Sequence, residues 1–411
     1  MKAFILIASK SINLHPFSDH SPKSLISIAG STILERTLKQ LKELGISEVF
    51  LIVNFQKEKI ISYIGHGEKY QLKISYINQD PLDGIGNAIL RAKKNLDEDE
   101  KFILVYGDIV TVDGHLKKMV QQSINHPKSS IAAVSHANNE GEYAYIYFDG
   151  SLNITKIIEK SKTTALTNYI LAGAFILDSN DINVLADCNG KVMGLYKHLI
   201  EQNNFRACVW EDGWIDIYYP WDILEANKMV MGSWKNSIIS SSAKIEKQVN
   251  IEGVVHISDN AVIKSGSTIL GPCFIGENTF IGNNTLIRQH TNIGPDSKVG
   301  YGTEIKNAVL FSKTETGRLS FIGDSVIGKN VRIGTNTLTL NYNTTEKKIL
   351  VTVPDKKEEI TFQKIGSFIG DHSVIGSSHT LPPGSIFPAD TSIPDNFSVN
   401  NTESFQILEQ T

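Results

Sequence analysis
Cysteine is scarce, and the three that occur, Cys188, Cys208 and Cys273, are odd in number and widely spaced. Such a set fits neither a disulfide framework nor a CxxC metal site, and its simplest reading is a reducing, cytoplasmic compartment. An excess of either charge is also missing: 40 Lys and Arg stand against 44 Asp and Glu, a formal net charge of −4. Proteins that grip nucleic acid or anionic membranes usually carry a basic surplus, so neither is expected as a partner and small molecules are. Long apolar runs are lacking too. The opening MKAFILIAS turns polar at Ser9 and Lys10, too soon for a signal-peptide core and far short of the roughly 18 residues a membrane span needs. Glycine, at 31 of 411 residues, is unremarkable overall yet becomes denser after residue 250. What is present is 41% apolar content, enough for two ordinary domains that each bury a core.

Residues 1–230 alternate short apolar runs with amphipathic stretches. AFILIA (3–8), VFLIV (49–53), KISYI (73–77) and FILVYGD (102–108) read as strands. Ile33 to Leu44, residues 57–64 and Ala88 to Leu96 read as helices, the first ended by Gly45. Unbroken apolar strands separated by helices predict a mostly parallel sheet covered on both faces. Ligands of such sheets sit at the carboxyl ends of the strands, which is where Ser9 to Lys23, Gln79 to Asn87 and Asp108 should lie.

From about residue 239 the period becomes six. Ile239, Ile245, Ile251, Ile257, Ile263, Ile269, Ile275, Ile281, Ile287, Ile293, Val299 and Ile305 follow one another without a miss. Further runs, Phe321, Ile327 and Ile333, then Ile369, Ile375, Leu381, Phe387 and Ile393, resume it after interruptions. A hexapeptide repeat predicts a parallel β-helix, in which stacked coils bury the anchors in one interior. The Lys-, Glu- and Thr-rich stretch 343–363 breaks the period and reads as an excursion, a hairpin or loop. The expected layout is an α/β domain over 1–232 and a β-helix over 233–400.

Several segments in this order carry a family resemblance: ASKSINLHPFSDHSPKSLISIAGSTILE (8–35), QDPLDGIGNAI (79–89), YGD (106–108), IIEK (157–160), GWIDIYYPWDILEAN (213–227), GRLSFIGDSVIGKNVRIGTNT (317–337) and IGSFIGDHSVIG (365–376). The chain resembles the sugar-1-phosphate nucleotidylyltransferases, and among them the archaeal bifunctional type that joins uridylyl transfer to acetylation of glucosamine 1-phosphate. The resemblance implies a Rossmann-like nucleotidyltransferase domain followed by a left-handed parallel β-helix. It also implies a homotrimer or a dimer of trimers, with nucleoside triphosphate and sugar 1-phosphate as substrates, while a hetero-oligomer with an active paralogue would belong to a chain whose sites have decayed.

Nucleotidyl transfer asks a protein for positioning and charge neutralisation, supplied by a backbone cradle, cations and Mg²⁺. By the resemblance Lys23 of Pro22-Lys23 contacts phosphate, and Asp108 and Asp216 are the catalytic carboxylates that hold Mg²⁺. Ser9, Lys10, Gln79 and Gly84 fall at nucleotide-binding positions, and Glu159, Lys160 and Asn168 at sugar-binding ones. Departures stand beside these matches. The glycines of the family's first loop are Ser9 and Ser11, its Thr is Ile12, its Arg is Asn13, and His15 stands where a second Arg is frequent. Losing one charged hydrogen bond costs roughly 1.5–3 kcal/mol. The family's sugar-proximal Gly and Asn align with Ala144 and Leu171, and the Gly of its Asp-x-Gly with Tyr218, followed by Tyr219.

In the β-helix the family's catalytic His aligns with Arg318 and its Tyr with Phe321, while Asn341 and Tyr342 match the family's Asn-Tyr. A guanidinium with a pKa above about 12 cannot act as a general base. Unless His290, His372 or His379 substitutes, acetyl transfer from acetyl-CoA is expected to be lost, and Arg318 could instead bind an anion. Two readings therefore stand: a sugar-1-phosphate nucleotidyltransferase related to UDP-N-acetylglucosamine synthesis, or a catalytically inactive regulatory homologue that binds a nucleotide sugar or assembles with an active paralogue.

Overall fold
In a computed structural model the chain is described over residues 1–137, 143–159, 167–344, 348–353, 356–360 and 363–395. Lys160, one of the expected sugar contacts, and part of the 343–363 excursion lie outside the described residues. The chain divides into two compact units, and the division does not follow the sequence simply. One unit holds 1–10, 22–25 and 33–216; the other holds 11–21, 26–32 and the chain from Ile217 onward.

The first unit is built on a nine-stranded sheet. Four strands, Lys101–Tyr106, Lys2–Ile7, Glu48–Val53 and Lys73–Asn78, lie side by side in parallel. Strand Tyr169–Asp178 joins antiparallel to Lys101–Tyr106. Successive side chains of a strand point to opposite faces, so Ala3, Ile5 and Ile7 enter one hydrophobic core and Phe4 the other. Helix Ile33–Glu43 packs with Leu34, Leu38 and Leu41 in the first of these cores, and Gly45 at φ +76° ends the turn that follows it. The helix expected over Ala88 to Leu96 is shorter and earlier, Ile85–Leu90, with a 3-10 turn at Lys93–Asn95. Gly84, in a conformation that glycine reaches without strain, caps the helix so that it begins at Ile85, three residues ahead of Ala88.

The second unit is a left-handed parallel β-helix whose short strands form three parallel sheets of eight, eight and seven strands. Register gives the coil length. Ile257 pairs with Ile275 and Ile275 with Ile293, eighteen residues apart, but Leu310 pairs with Ile327 and Ile305 with Ile322. Two coils have thus lost a residue each, and the expected anchor Phe321 is displaced outward in favour of Ile322, which is fully buried. Thr316 and Thr339 fill two further anchor positions, aligned with Ile333 and Leu381. At the other end Ile239 and Ile245 are 46% and 36% exposed, because the first coil has a neighbour on one side only. Corners are turned by residues at positive φ, among them Asn260, Asn278, Asn284, Asp296, Asn330 and Asn336, the residue types that tolerate the left-handed region best after glycine. Buried hydroxyls beside them, such as Thr279 to Gly294 O (3.1 Å) and Thr337 to Gly376 O (3.0 Å), satisfy carbonyls of the next coil. The excursion contains an antiparallel hairpin, Ile349–Val353 with Lys356–Ile360.

The segments 11–21 and 26–32 are part of this second unit. Phe17 meets the edge of Phe311 at 5.6 Å, and His20 pairs with Asp390 at 2.9 Å. Asn227, fully buried on helix Asp222–Gly232, accepts from Ala29 N at 3.0 Å and donates to His290 O at 2.8 Å. Among the described residues no helix is long and apolar enough to cross a membrane.

Candidate active site
Asp108 is placed by the strand before it and the turn it begins. After strand Lys101–Tyr106 the chain passes through Gly107, whose N–H donates to Leu6 O at 2.9 Å. A Cβ there would lie 2.0 Å from Ile7 Cγ2, so only glycine lets the backbone run this close to the first strand. The chain then enters a short strand, Ile109–Thr111, paired antiparallel with Trp214–Asp216. Ile109 lies opposite Asp216 and Thr111 opposite Trp214, which sets Asp108 next to Asp216 although they are far apart in sequence. Trp214, 5% exposed, anchors the ribbon by donating its indole N–H to Ala172 O at 2.9 Å.

Lys23 meets both carboxylates. Its ammonium is 3.1 Å from Asp108 Oδ2 and 3.5 Å from Asp216 Oδ1, and the residue is 9% exposed. A nearly buried ammonium is tolerated when carboxylates neutralise it. The arrangement concentrates two negative charges around one cation position at the carboxyl ends of the strands. Among the described residues no three or more His, Cys, Asp or Glu are grouped to hold a metal. The two carboxylates nonetheless fit Mg²⁺, which is commonly held by one or two carboxylates while phosphates and water supply the other ligands.

The expected nucleotide contacts lie at neighbouring strand ends. Ser9 and Lys10 are exposed after the first strand, with Lys10 Nζ 5.7 Å from the centre of the Phe55 ring. Gln79, 5% exposed, is fixed in place. Its N–H donates to Val53 O at 2.8 Å, its carbonyl accepts from Asn54 Nδ2 at 2.5 Å, and its side-chain amide donates to Gly84 O at 2.9 Å. Asp83 beside it pairs with Arg91 at 3.0 Å, and that guanidinium holds the Asp83 carboxyl below its usual range. Glu159 and Asn168 are exposed next to strands Ile154–Ile158 and Tyr169–Asp178. Ala144 and Leu171 are brought together, Leu171 N donating to Ala144 O at 3.0 Å.

On the β-helix the candidate residues are less convergent. Arg318 is exposed and its guanidinium makes no hydrogen bond or ion pair among the described residues. Asn341 is buried and committed to Asp324, donating to Oδ2 at 2.5 Å, while Asn307 donates to the other oxygen at 2.7 Å. Tyr342 is 52% exposed. Of the histidines, His290 and His372 occupy positive-φ corners, and His379 Nε2 lies 2.9 Å from Pro394 O. His372 instead faces Asn330, 3.4 Å away, and the ring of His20.

A family model for nucleotidyl transferases matches residues 2–232 of the chain. The chain belongs to the nucleotidyl transferase family. A second model, described as the GMPPB C-terminal domain, matches residues 269–351. The bifunctional protein GlmU of Methanococcus maripaludis strain S2 is 33% identical over 93% of this chain and 91% of its own length. A bifunctional sugar-1-phosphate nucleotidylyltransferase/acetyltransferase of Sulfurisphaera tokodaii is 31% identical over 93% of each. A Bacillus anthracis crystal structure, described as a glucose-1-phosphate thymidylyltransferase in complex with a sucrose, superimposes with a TM-score of 0.52 at 18% identity. It covers 55% of this chain and 94% of that one, and its likeness speaks to the fold alone.

Within this nucleotidyl transferase, some supporting residues escape sequence reading. The ribbon that joins Asp108 to Asp216 consists of two three-residue strands, too short to show a period. Gly86 is another. It lies inside helix Ile85–Leu90, and a Cβ would stand 1.8 Å from Gly190 O, whereas one on Gly84 would meet nothing within 4 Å. Gly86→Ala is therefore expected to destabilise the chain by about 1–3 kcal/mol, as overpacking does, and to raise the KM for nucleotide by displacing the turn that Gln79 holds. Urea titration and initial-rate kinetics read the two effects; an unchanged midpoint and KM would contradict them.

Proposed function
We propose that this chain catalyses transfer of a nucleotidyl group from a nucleoside triphosphate to a sugar 1-phosphate, releasing pyrophosphate. The observation that carries the reading is the convergence of Asp108 and Asp216 on Lys23. A phosphate oxygen of the sugar 1-phosphate attacks the α-phosphorus, and the bond to the pyrophosphate oxygen breaks. Lys23 lies where its ammonium can neutralise phosphate charge, and Asp108 and Asp216 would hold Mg²⁺, which supplies Lewis-acid stabilisation of the phosphate oxygens. Gln79, with its N–H groups turned to Gly84, keeps an amide oxygen to accept from a base edge such as the uracil N3–H. UTP with N-acetylglucosamine 1-phosphate is the pair we favour, supported by the family order of the motifs. Glu159, Lys160 and Asn168 take the sugar side, Ser9 and Lys10 the nucleotide side. A homotrimer in the cytoplasm belongs to the same reading.

Pyrophosphate release measured with UTP, dTTP, GTP and CTP against a panel of sugar 1-phosphates tests it. Turnover is expected with at least one pair and is expected to vanish in Asp108→Ala. Wild-type rates no higher than that control would sink the reading. They would favour the second one, an inactive homologue, for which the first loop gives a specific reason: residues Ile12–Leu14 coil into a 3-10 turn, and the N–H groups of Leu14, His15 and Phe17 are spent on Ser11, Ile12 and Leu14 carbonyls rather than held open for phosphate.

Acetyl transfer we propose to be absent. Arg318 stands where a base is needed, and Asn341 is locked to Asp324. With acetyl-CoA and glucosamine 1-phosphate, thiol release is expected to stay at the uncatalysed rate. Release proportional to enzyme concentration would overturn this.

A further inference from the structure
Beneath the ribbon that carries Asp108 and Asp216 lies a small polar cavity of about 10 Å³. Gln40 of helix Ile33–Glu43, Thr111 of the ribbon and His115, the first residue of helix His115–Asn125, line it together with Arg36. Gln40, Thr111 and His115 are 7%, 6% and 2% exposed. The Gln40 side-chain amide donates to Thr111 Oγ1 at 3.2 Å. Two strong hydrogen-bonding atoms remain buried without a partner among the described residues, Gln40 Oε1 and His115 Nε2. Each such atom left unsatisfied would cost about 1–3 kcal/mol.

We propose that this cavity holds one structural water, bonded to Gln40 Oε1, His115 Nε2 and Thr111 Oγ1, and that through it Gln40 and His115 act as positioning residues for the two carboxylates. The volume is just enough for a single water molecule, and the lining offers the two to four polar partners that a stable internal water needs. The hydrogen-bond directions close. Gln40 Oε1 can only accept, so the water donates to it. The water's remaining proton and its lone pairs serve Thr111 and whichever face of the imidazole tautomer His115 presents. His115 is kept neutral by burial, first, and by the charge of Lys118, so either tautomer suits a water, which donates as readily as it accepts. An inorganic anion fits worse, because Gln40 Oε1 would face it with a lone pair and the space is too small.

The consequence runs along the ribbon. Thr111 is opposite Trp214, and two residues further along Ile109 is opposite Asp216. His115 also meets the edge of Trp210 at 5.3 Å, and Trp210 donates its indole N–H to Gly213 O at 3.1 Å, next to the ribbon's second strand. Both strands are thereby tied to one small polar core.

This inference rests on the reading of Asp108 and Asp216 as the reaction centre, and the test separates the two. A high-resolution crystal structure of the full wild-type chain is expected to show a water within hydrogen-bond distance of Gln40 Oε1 and His115 Nε2. Gln40→Met, which keeps length and removes both the acceptor and the amide that donates to Thr111, is expected to speed hydrogen exchange at the Thr111 and Trp214 amides and to weaken Mn²⁺ binding, measured by electron paramagnetic resonance, by about tenfold, the lower end for losing an outer-shell partner of a metal site. His115→Gln, which preserves a polar atom, is expected to keep both near wild type. An empty or collapsed cavity in the wild-type crystal overturns the water, as does Gln40→Met with unchanged exchange and Mn²⁺ binding. Absence of pyrophosphate release by the wild-type protein would instead strike the proposed reaction and leave the water and exchange results standing.

Discussion
Lys23→Met lowers the rate of pyrophosphate release by two to three orders of magnitude, the loss expected when one preorganised charged donor is removed from a site where charge develops. The side chain keeps its length and apolar stem and loses only the ammonium, so packing is little disturbed. Two consequences oppose each other. The phosphates of the nucleotide lose a fixed cation, which depresses kcat/KM. Asp108 and Asp216, now facing each other without the charge between them, become a stronger site for a divalent cation, so the Mg²⁺ concentration that gives half-maximal activity should fall. Destabilisation should stay below the 3–5 kcal/mol typical of breaking a buried pair, because the Asp108 and Asp216 side chains keep 33% and 22% exposure to solvent. Lys23→Arg is not expected to restore the rate, since a planar guanidinium cannot occupy the point between two carboxylate oxygens at 3.1 and 3.5 Å as an ammonium does. Initial rates at a series of Mg²⁺ concentrations decide the matter. A Met variant with wild-type kcat would remove Lys23 from the reaction.

How much of this arrangement is visible in the sequence depends on the range of the signal. The strand ends that present Ser9, Gln79 and Asp108 are legible because each strand is a continuous apolar run, and such runs imply a sheet covered on both faces. The β-helix is legible because its anchors recur locally. Where a coil drops one residue the count fails, and Ile322 rather than Phe321 turns inward, a difference that only the pairing of Ile305 with Ile322 reveals. Long-range pairings leave no local trace at all. Nothing near Asp108 announces that Ile109 will lie opposite Asp216. Nothing in segment 11–21 announces that Phe17 will pack on Phe311 in the second unit. Asn227 reads as an ordinary helical residue, yet its amide spans two backbone groups and is fully buried. The departures from family pattern at Asn13, Leu171 and Arg318 were legible as substitutions; their consequence for binding depends on geometry.

The second large effect is acid lability centred on His115. The side chain is 2% exposed, and burial, with a smaller contribution from Lys118, lowers its pKa from 6.5 to about 4 in the folded chain. The unfolded chain takes up a proton as the pH falls through about 6.5, while the folded chain refuses it until about pH 4. Between those values the unfolded state binds more protons, so stability rises with pH and is lost as pH falls. Each pH unit across that window is worth at most about 1.4 kcal/mol for one group, and the whole window withdraws roughly 3 kcal/mol. His256 and His290, also lowered by burial, act in the same direction. Asp181, whose burial raises its pKa, acts in the opposite one. Denaturant titrations of wild type and His115→Phe between pH 7 and 4 isolate the term, because the other groups are common to both proteins. The variant forfeits the polar contacts of the cavity and starts less stable at neutral pH, but its curve should be flatter, and the two should converge as acid is added. Parallel curves would mean that His115 is not held neutral, and that the polar core beneath the ribbon is open to protons in the folded chain.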